Sequence, residues 1–439
     1  MLNQQQIIDD LISASRSKRF WIAYSGGVDS HVLLHLLATS SHPELEFVGA
    51  IHIDHGLHSH SEKWTQHCAN IAEELKVEFK SVAVEVKQIE QLGMEAAARI
   101  ARYQALGSEL TANDVLLTAQ HQEDQAETVL LQLLRGAGPK GLSAMAFQSD
   151  CENSQLIRPL IHCSQHDILS YANSQQLNWI EDPSNSDTRW NRNYIRHTLW
   201  PDIHQRWPQA ATTLSRSAQH CAEATELLDE LALSDLSEFN VNLTGQCLPI
   251  PELLSLSTAR RNNLIRYFIR LKRYSLPSVV NLKRITNEVC LAKHDAMPVV
   301  SWLGVDVRRY QQKLYFMATL MSHDKERVID IHHGDEFNID SDRTLIWQQT
   351  MGEGLPESLL QAGLTIRFRQ GGERIKPQGH QHHTALKNLL PQWNIPPWQR
   401  DRIPLLFKQD QLVAVVGYCV SEQYSVKQGE IGFLPQLKQ

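Results

Sequence analysis

Short apolar runs alternate with amphipathic stretches from residue 19 to residue 177, and this alternation constrains the fold more than any other feature. The apolar runs begin at positions 19, 47, 78 and 114, and each is followed by a stretch with helical spacing. Strands that alternate with helices in this way form a parallel sheet covered on both faces. We therefore predict an α/β fold with a doubly wound, mostly parallel sheet, whose ligands bind beyond the carboxyl ends of the strands, at a switch point in strand order.

The chain of 439 residues is longer than one hydrophobic core organises, because cores stop growing at roughly 250 to 300 residues. The alternation ends at the turn formers EDPSNSD, residues 181–187, after which a helical pattern runs to about residue 236. We predict a catalytic α/β domain at 1–215 and a mostly helical domain at 216–330, which ends near a polar linker at 321–335. The last predicted domain, at 331–439, is a small α+β domain with short β-rich runs.

Composition excludes several classes of protein. No stretch approaches the roughly 20 apolar residues of a spanning helix, and the first ten residues, MLNQQQIIDD, do not resemble a signal peptide. We therefore expect a cytoplasmic protein that does not enter a membrane. The seven cysteines are scattered without a Cys-x-x-Cys pair, so neither a disulfide framework nor a cysteine-built metal site is indicated.

The charge distribution is more informative than the formal net charge of −7, which does not by itself suggest a nucleic-acid partner. Between Leu364 and Asp410, eight Lys and Arg residues stand against three acidic residues, and three histidines lie beside them. Lys and Arg clustered in this way are typical of a surface that contacts phosphates.

The most specific motif is Ser25-Gly26-Gly27-Val28-Asp29-Ser30, between the first apolar run and a helix. Two glycines allow close approach of the backbone, and two serines add hydroxyl donors at a helix N-terminus, which together form a cradle for pyrophosphate. The Lys of a Walker A loop is absent, and Asp29 would repel phosphates unless a divalent cation lay between them, so Mg²⁺ is implied. The alternative is an ordinary strand-to-helix turn.

Two further motifs fall on predicted strand ends or helix faces. His52, Asp54 and His55 lie at the end of the second strand, where they could position a ribose or triphosphate, or could be solvated polar residues. Glu95, Arg99 and Arg102 share one helix face, either as a salt-bridged surface or as a supply of arginine for phosphates.

A fourth motif runs from Thr118 to Thr128 and continues to Arg135-Gly136. It places His121, Asp124 and Glu127 at intervals of three at the start of a helix whose opposite face is leucine. Acidic residues in a first helical turn can also serve as caps, so a structural role is the alternative.

The Ser25–Ser30 motif resembles the PP-loop of the N-type ATP pyrophosphatases. Together with Arg158-Pro159-Leu160, residues 181–187, and Arg192-Asn193-x-x-Arg196, the motifs resemble those of the tRNA(Ile)-lysidine synthetase family. The last region adds Gly371-Gly372-Glu373-Arg374, His382-His383, Leu386-Lys387 and residues 395–405, which resemble that family's C-terminal tRNA-binding domain. Two positions depart from the commonest form of the fourth motif, with Gln120 in place of His and Glu123 in place of Asp.

The resemblance implies an ATP-dependent ligase that joins L-lysine to C2 of the wobble cytidine in the CAU anticodon of tRNA(Ile). The base is adenylated first, and lysine then displaces AMP, which gives lysidine, AMP and pyrophosphate and changes codon reading from AUG to AUA. The implied partners are ATP, Mg²⁺, L-lysine and tRNA(Ile), and a homodimer is a further expectation that the sequence does not decide.

The residue roles follow from charge and from the matched motifs. ATP binding is assigned to Ser25, Gly26, Gly27, Val28, Asp29, Ser30 and His55. Catalysis is assigned to Asp29, Asp124, Arg99 and Arg102, of which Asp29 and Asp124 would hold Mg²⁺. Lysine binding is assigned to Asp124 and Glu127. Contacts with tRNA are assigned to Arg192, Arg196, Arg374, Lys387, Arg400 and Arg402.

Three alternatives stay open at this point. A PP-loop tRNA thiolase would also adenylate a base, but it would generally need paired cysteines that this chain lacks. A small-molecule synthetase would leave the basic C-terminal segment without a purpose. A tRNA-binding protein that has lost catalysis is disfavoured because Asp29 and Ser30 are intact.

Overall fold

The computed structural model describes residues 2–54, 61–85, 94–152, 154–293, 296–331, 336–340 and 343–438, and only the backbone of residues 94–96 and 184. The chain divides into two compact units, Met1–Leu233 and Ser234–Gln439. The three-domain division at 215/216 and 330/331 stays a prediction. Within the described residues, every helix is too short or too polar to cross a bilayer.

A six-stranded sheet forms the centre of the first unit. Its strands are β1 (Arg19–Ala23), β2 (Glu46–Asp54), β3 (Glu78–Ala83), β4 (Asp114–Leu117), β5 (Gln148–Cys151) and β6 (Ser154–Ile157). The order is β3-β2-β1-β4-β6-β5, and only β5 runs antiparallel to its neighbour. The predicted doubly wound, mostly parallel sheet is confirmed.

Among the described residues, nine helices lie within this unit, and a tenth begins in it and extends past its last residue, Leu233. They are α1 (Gln4–Ala14), α2 (Val28–Ala38), α3 (Ser61–Glu74), α4 (Met94–Ser108), α5 (Gln122–Leu134), α6 (Pro139–Leu142), α7 (Gln165–Ser174), α8 (Asn191–Tyr194), α9 (Trp200–Arg206) and α10 (Ala210–Glu238). A 3₁₀ turn covers Pro183–Ser186, and a π turn, Ile195–Leu199, joins α8 to α9. Because α10 continues to Glu238, no break in the backbone occurs at the predicted boundary of 215/216.

Strand order places a switch point at the centre of the sheet. The chain moves from β1 outward through β2 and β3, and then crosses to β4 on the other side of β1. Strand β4 is buried along its whole length, and Phe20 and Ile22 of β1 are fully buried against α2. The connections after β1 and β4 therefore leave in opposite directions, which opens a crevice at their carboxyl ends.

The second unit begins with helices packed on a four-stranded antiparallel sheet. The helices are α11 (Ile250–Ser255), α12 (Thr258–Leu271) and α13 (Val279–Arg284), followed by a π turn at Ile285–Cys290. The strands are β7 (Cys247–Pro249), β8 (Val299–Trp302), β9 (Val305–Tyr310) and β10 (Lys313–Ala318), in the order β7-β10-β9-β8. The sequence predicts the helices but not this sheet, because its strands are short and one carries Arg308 and Arg309.

The rest of the second unit is mainly β-structure. Its strands are β11 (Ile329–Ile331), β12 (Phe337–Asn338), β13 (Thr344–Met351), β14 (Leu364–Arg367), β15 (Arg374–Ile375), β16 (Thr384–Ala385), β17 (Leu405–Lys408), β18 (Gln411–Val415), β19 (Cys419–Val420) and β20 (Ile431–Lys438). The helices are α14 (Glu357–Gln361), α15 (Leu386–Gln392) and α16 (Pro397–Arg400). Strand β11 lies inside the predicted linker and pairs with β14, so that part of the linker belongs to a sheet.

Candidate functional site

The loop Ser25–Ser30 connects β1 to α2, and its shape depends on Gly26. Gly26 has a φ of 82°, in the left-handed region that favours glycine. A Cβ at this position would lie 2.9 Å from Ile180 Cδ1 and 3.0 Å from Cys68 Sγ. The Ile180 amide donates to the Gly26 carbonyl at 2.9 Å. Gly27 caps α2 with an ordinary φ of −76°, so only the first glycine is required by backbone conformation.

Hydroxyl groups brace the loop from within. The Ser30 hydroxyl donates to the Gly27 carbonyl at 3.0 Å, and the Ser25 amide donates to Ser30 Oγ at 3.3 Å. The two hydroxyl oxygens are 3.1 Å apart. The first N–H groups of α2 have no carbonyl partner one turn earlier in the helix, and they add the positive end of its dipole. The loop is therefore suited to bind phosphate oxygens.

A cavity of about 450 Å³ lies at the carboxyl ends of β1, β2 and β4, a size suited to a small organic ligand. Its polar and charged lining residues are Ser25, Asp29, Ser30, His52, Asp54, Ser61, Arg102, Thr118, Gln120, Asp124 and Asp182. Among the described residues, Arg99 is not part of this lining, and its guanidinium instead lies 4.8 Å from the ring centroid of Tyr103. The side chain of Glu95 and the predicted ATP ligand His55 lie outside the described part of the chain.

Apolar and aromatic side chains complete the cavity, among them Trp64, Tyr103 and Leu106, which the sequence analysis did not single out. Trp64 precedes the buried residues Cys68 and Ala72 of α3 by four and eight positions. This i, i+4 spacing places Trp64, Cys68 and Ala72 on one helix face, and it is the signal that could have identified Trp64.

Asp29 occupies the first turn of α2 and lines the cavity. Its Oδ1 atom is buried and has no hydrogen-bond partner among the residues that the structure describes. Burial raises the pKa of Asp29, the nearby His121 opposes this, and the charge of Asp124 adds to it. A buried carboxylate oxygen without a partner, beside a phosphate-binding loop, fits a Mg²⁺ ligand.

His121 lies between three carboxylates at the start of α5. Its Nδ1 is 3.0 Å from Glu123 Oε2, and its Nε2 is 3.5 Å from Asp124 Oδ2 and 3.8 Å from Asp29 Oδ2. The imidazole is only 2% exposed. Burial would lower the pKa of His121, but the hydrogen bond to Glu123 and the charges of Asp124 and Asp29 outweigh it and raise the pKa to about 9. At neutral pH, His121 is therefore a cation that neutralises part of the negative charge.

Glu123, one of the two departures from the commonest motif, is held at the start of α5 by two contacts to its Oε2 atom. Besides His121, its Oε2 accepts a hydrogen bond of 2.8 Å from the Gln165 amide. Burial would raise the pKa of Glu123, but His121 and Gln165 lower it. The other departure, Gln120, lines the cavity and accepts a hydrogen bond of 2.5 Å from the Thr118 hydroxyl.

Arg196 joins the two carboxylates that the sequence assigns to lysine. It donates to Asp124 Oδ1 at 2.8 Å and to the two oxygens of Glu127 at 2.6 and 2.9 Å. Arg192 lies 3.3 Å from Glu127 Oε2 and donates to Thr128 Oγ1 at 2.8 Å. Glu127 is buried and, among the described residues, is absent from the cavity lining, whereas Asp124 faces the cavity.

These ion pairs set the charge of the two carboxylates. Burial would raise the pKa of Asp124, yet His121 and Arg196 outweigh it and lower the pKa. For Glu127, burial outweighs the arginines and raises the pKa. The sequence analysis treated Arg192 and Arg196 as tRNA ligands and did not foresee their pairing with the fourth motif.

The basic segment of the second unit contains exposed cations and also cations that are hydrogen-bonded to other parts of the unit. Arg374 in β15 and Lys387 in α15 are exposed. Arg374 pairs with Ala385, two residues before Lys387, so the two cations lie on neighbouring elements. Arg400 donates to the Ile395 carbonyl at 2.9 Å and to the Tyr310 hydroxyl at 3.4 Å. Arg402 donates to the Met321 carbonyl. Their guanidinium groups thus link parts of the second unit to one another.

No group of three or more His, Cys, Asp or Glu side chains in the described ranges could hold a metal ion. This finding does not conflict with Mg²⁺, which is usually bound by one or two carboxylates together with phosphate oxygens and water. Asp29 fits such a site, while both oxygens of Asp124 are engaged by Arg196 and His121.

Comparison with known proteins gives three family matches. Residues 1–203 match a PP-loop domain, residues 248–315 match the TilS substrate binding domain, and residues 364–435 match the TilS substrate C-terminal domain. A tRNA(Ile)-lysidine synthase from Coxiella burnetii is 41% identical over 98% of this chain and 95% of its own. One from Serratia proteamaculans is also 41% identical, over 93% of each chain.

Among solved structures, a U34-tRNA thiolase from Methanococcus maripaludis aligns with a TM-score of 0.42 and 18% identity. The alignment covers 50% of this chain and 78% of the thiolase. A similarity at this level carries no argument about function.

Proposed function

Because the chain belongs to the tRNA(Ile)-lysidine synthase family, and is thus an ATP-using C–N ligase that forms lysidine on tRNA(Ile), we propose how its cavity performs the reaction. The loop Ser25–Ser30 binds the triphosphate of ATP through backbone N–H groups and serine hydroxyls. The observation that carries this proposal is the unpartnered buried Oδ1 of Asp29 beside that loop.

In the first step, the C2 oxygen of the wobble cytidine attacks the α-phosphorus, and pyrophosphate leaves. Arg102 lines the cavity and offsets negative charge on the transferred phosphate. Arg99 is exposed beside Tyr103 and is a weaker candidate for the same role. Mg²⁺ held by Asp29, and by Asp124 if its present partners yield, would neutralise charge on the triphosphate.

In the second step, the ε-amine of lysine attacks C2 and AMP leaves. The carbonyl of cytosine is a poor electrophile with a poor leaving group, and adenylation replaces its oxygen with a good leaving group. L-Lysine arrives as an ammonium ion and must lose one proton before its nitrogen can attack, so we propose Asp124, the carboxylate that faces the cavity, as its principal ligand and as the acceptor of that proton. Glu127 contributes mainly by holding Arg196, since both of its oxygens accept from that guanidinium.

The variant Asp29→Asn tests the role of the loop carboxylate, because it removes the charge and keeps the shape. We expect pyrophosphate release with tRNA(Ile) and lysine to fall about a hundredfold or more, together with the Mg²⁺ dependence of ATP binding measured by calorimetry. Asp10→Asn, at an exposed position in α1, is the matched control. Near-normal pyrophosphate release by Asp29→Asn would reject the metal role, and formation of ADP by the wild type would reject attack at the α-phosphorus.

The variants Asp124→Asn and Glu127→Gln separate lysine binding from positioning. We expect Asp124→Asn to raise the KM for lysine about tenfold or more, because a charge-assisted contact with the ammonium is lost. Glu127→Gln should mainly lower kcat and thermal stability, because it leaves Arg196 with one carboxylate fewer. Equal effects of the two variants on the KM for lysine would contradict this division. A homodimer and a cytoplasmic location stay predictions, for which sedimentation and cell fractionation are the measurements.

A further inference from the structure

Exposed aromatic rings lie on the segment that follows the turn at 181–187. Trp190 is 37% exposed and Tyr194 is 45% exposed, and the side chain of Arg189 beside them is 88% exposed. Large rings usually occupy cores or contact a partner, so two of them at the surface on one short segment call for an explanation. The exposed Arg189 is paired with Asp187, to which its Nε and one terminal nitrogen donate.

The short helix α8 has two faces of different chemistry. The Tyr194 amide donates to the Trp190 carbonyl at 2.8 Å, so the two residues are one helical turn apart and lie on the same face. Arg192 and Arg196 point to another side, where they contact Glu127 and Asp124. The ion pairs fix the rotation of α8, and this rotation leaves the aromatic face toward solvent.

The turn before α8 holds this face in place. The Trp190 side chain donates to Asp187, and Asn193 Nδ2 donates to the Asp187 carbonyl at 3.1 Å. His197 Nε2 is hydrogen-bonded to the Asn185 carbonyl at 2.7 Å. The Trp190 ring, fixed in this way, loses little conformational freedom when a ligand stacks on it, so this part of the surface is pre-organised for binding.

The segment lies close to the cavity. Arg196 contacts Asp124, a lining residue, at 2.8 Å, and Asp182 at the start of the turn also lines the cavity. Helix α8 and the turn before it therefore lie next to the cavity.

We propose that Trp190 and Tyr194 form a stacking surface for unpaired bases of the tRNA anticodon loop that flank the cytidine being modified. This inference rests on the proposed function. A wobble base can reach the α-phosphate only if it leaves the loop's stack, which leaves neighbouring bases with exposed π-faces. Aromatic rings accept such faces irrespective of sequence. The Arg189 guanidinium, which is paired with Asp187 but 88% exposed, can also contact a nearby phosphate.

Binding of a fluorescently labelled anticodon stem-loop with an unmodified CAU anticodon tests the surface apart from catalysis. We expect Trp190→Ala and Tyr194→Ala each to weaken binding about tenfold, because stacking on one ring contributes about 1 to 3 kcal/mol per base. Trp190→Phe and Tyr194→Phe should retain most of the affinity. Trp207→Ala, which removes a 62% exposed ring outside α8, is the control and should bind as the wild type does.

Kinetics and fluorescence separate stacking from a structural role. The alanine variants should raise the KM for tRNA and leave the KM for ATP and the rate at saturating tRNA unchanged. Stem-loop binding should quench tryptophan emission in the wild type and quench it less in Trp190→Phe, which also decides the matter if Trp190→Ala does not fold. Unchanged stem-loop affinity in both alanine variants would overturn the proposal. Absence of lysine incorporation by a wild type that still binds the stem-loop would instead refute the proposed function.

Discussion

Three carboxylates surround the buried imidazole of His121, and their repulsion would be severe without a cation between them. Asp29 and Asp124 both lie within 4 Å of Nε2, and Glu123 fixes the other side of the ring. Glu123 can do so because its longer side chain reaches His121 and the Gln165 amide together. Glu123 thus links the His121 imidazole to the Gln165 amide through one carboxylate oxygen.

The charge of His121 predicts a pH-dependent stability. Its pKa is raised from an ordinary value of 6.5 to about 9, so its contribution is fully present below pH 6.5 and is lost as pH rises through about 9. We expect His121→Gln to be less stable than the wild type at pH 6.5 by on the order of 2 kcal/mol, with the difference shrinking toward pH 9. Urea unfolding across this range measures it.

The control for this measurement is His166→Gln, at an exposed position in α7. It should leave the unfolding free energy nearly unchanged at every pH. A difference between wild type and His121→Gln that stayed constant from pH 6.5 to pH 9 would show that the imidazole contributes by packing and not by charge.

At the scale of the element, the turn from β1 into α2 depends on one glycine for two separate reasons. Gly26 combines a left-handed backbone with contacts that a Cβ would violate. Gly136, which ends α5, has a similar φ of 70° but no atom within 4 Å of a built Cβ. A comparison of substitutions at Gly26 and Gly136 therefore separates the cost of backbone strain from the cost of steric conflict.

We expect Gly136→Ala to lower the free energy of unfolding by about 1 to 2 kcal/mol, the strain of a left-handed alanine. Gly26→Ala should lower it further, because Ile180 and Cys68 must move, and should also weaken ATP binding. Denaturant unfolding and calorimetric titration with ATP measure the two effects. Equal losses in both variants, with ATP affinity intact, would show that the loop tolerates the displacement.

At the scale of the whole molecule, net charge and local charge serve different purposes. The chain is acidic overall, with a formal net charge of −7, yet its second unit exposes Arg374 and Lys387 on neighbouring elements. Arg374 makes one long hydrogen bond of 3.4 Å, to the His383 carbonyl. Arg400 and Arg402 are instead half-buried and bonded to carbonyl and hydroxyl oxygens within the same unit. An exposed cation can release counterions on binding tRNA, whereas an engaged one mainly stabilises the fold.

The salt dependence of tRNA binding distinguishes these two roles. We expect Arg374→Ala and Lys387→Ala each to reduce the slope of log affinity against log salt by roughly 0.7 to 0.9, because one phosphate contact is lost. Arg400→Ala and Arg402→Ala should lower the thermal midpoint and change the slope less. A reduced slope in the Arg400 and Arg402 variants, at unchanged stability, would return those residues to the set of phosphate contacts.

The amino-acid sequence determined the alternation of β1 to β4 and β6 with α2 to α5, though not α1 or β5, and it singled out Ser25–Ser30 as the candidate phosphate-binding loop. Both depend on short-range patterns: apolar alternation, helical spacing, and glycine between a strand and a helix. It also predicted that Asp29 and Asp124, which follow β1 and β4, lie near each other, because parallel strands bring their carboxyl ends to the same edge of a sheet, and both line the cavity.

Only the tertiary structure decided what those residues contact. Arg196 meets Asp124 and Glu127 across 72 and 69 positions, and Ile180 meets Gly26 across a still longer interval. The four-stranded sheet of the second unit likewise forms from strands of three to six residues, too short to give a periodic signal. Ion pairs and short strands form wherever packing brings their members together, and that depends on the whole chain and not on any local stretch.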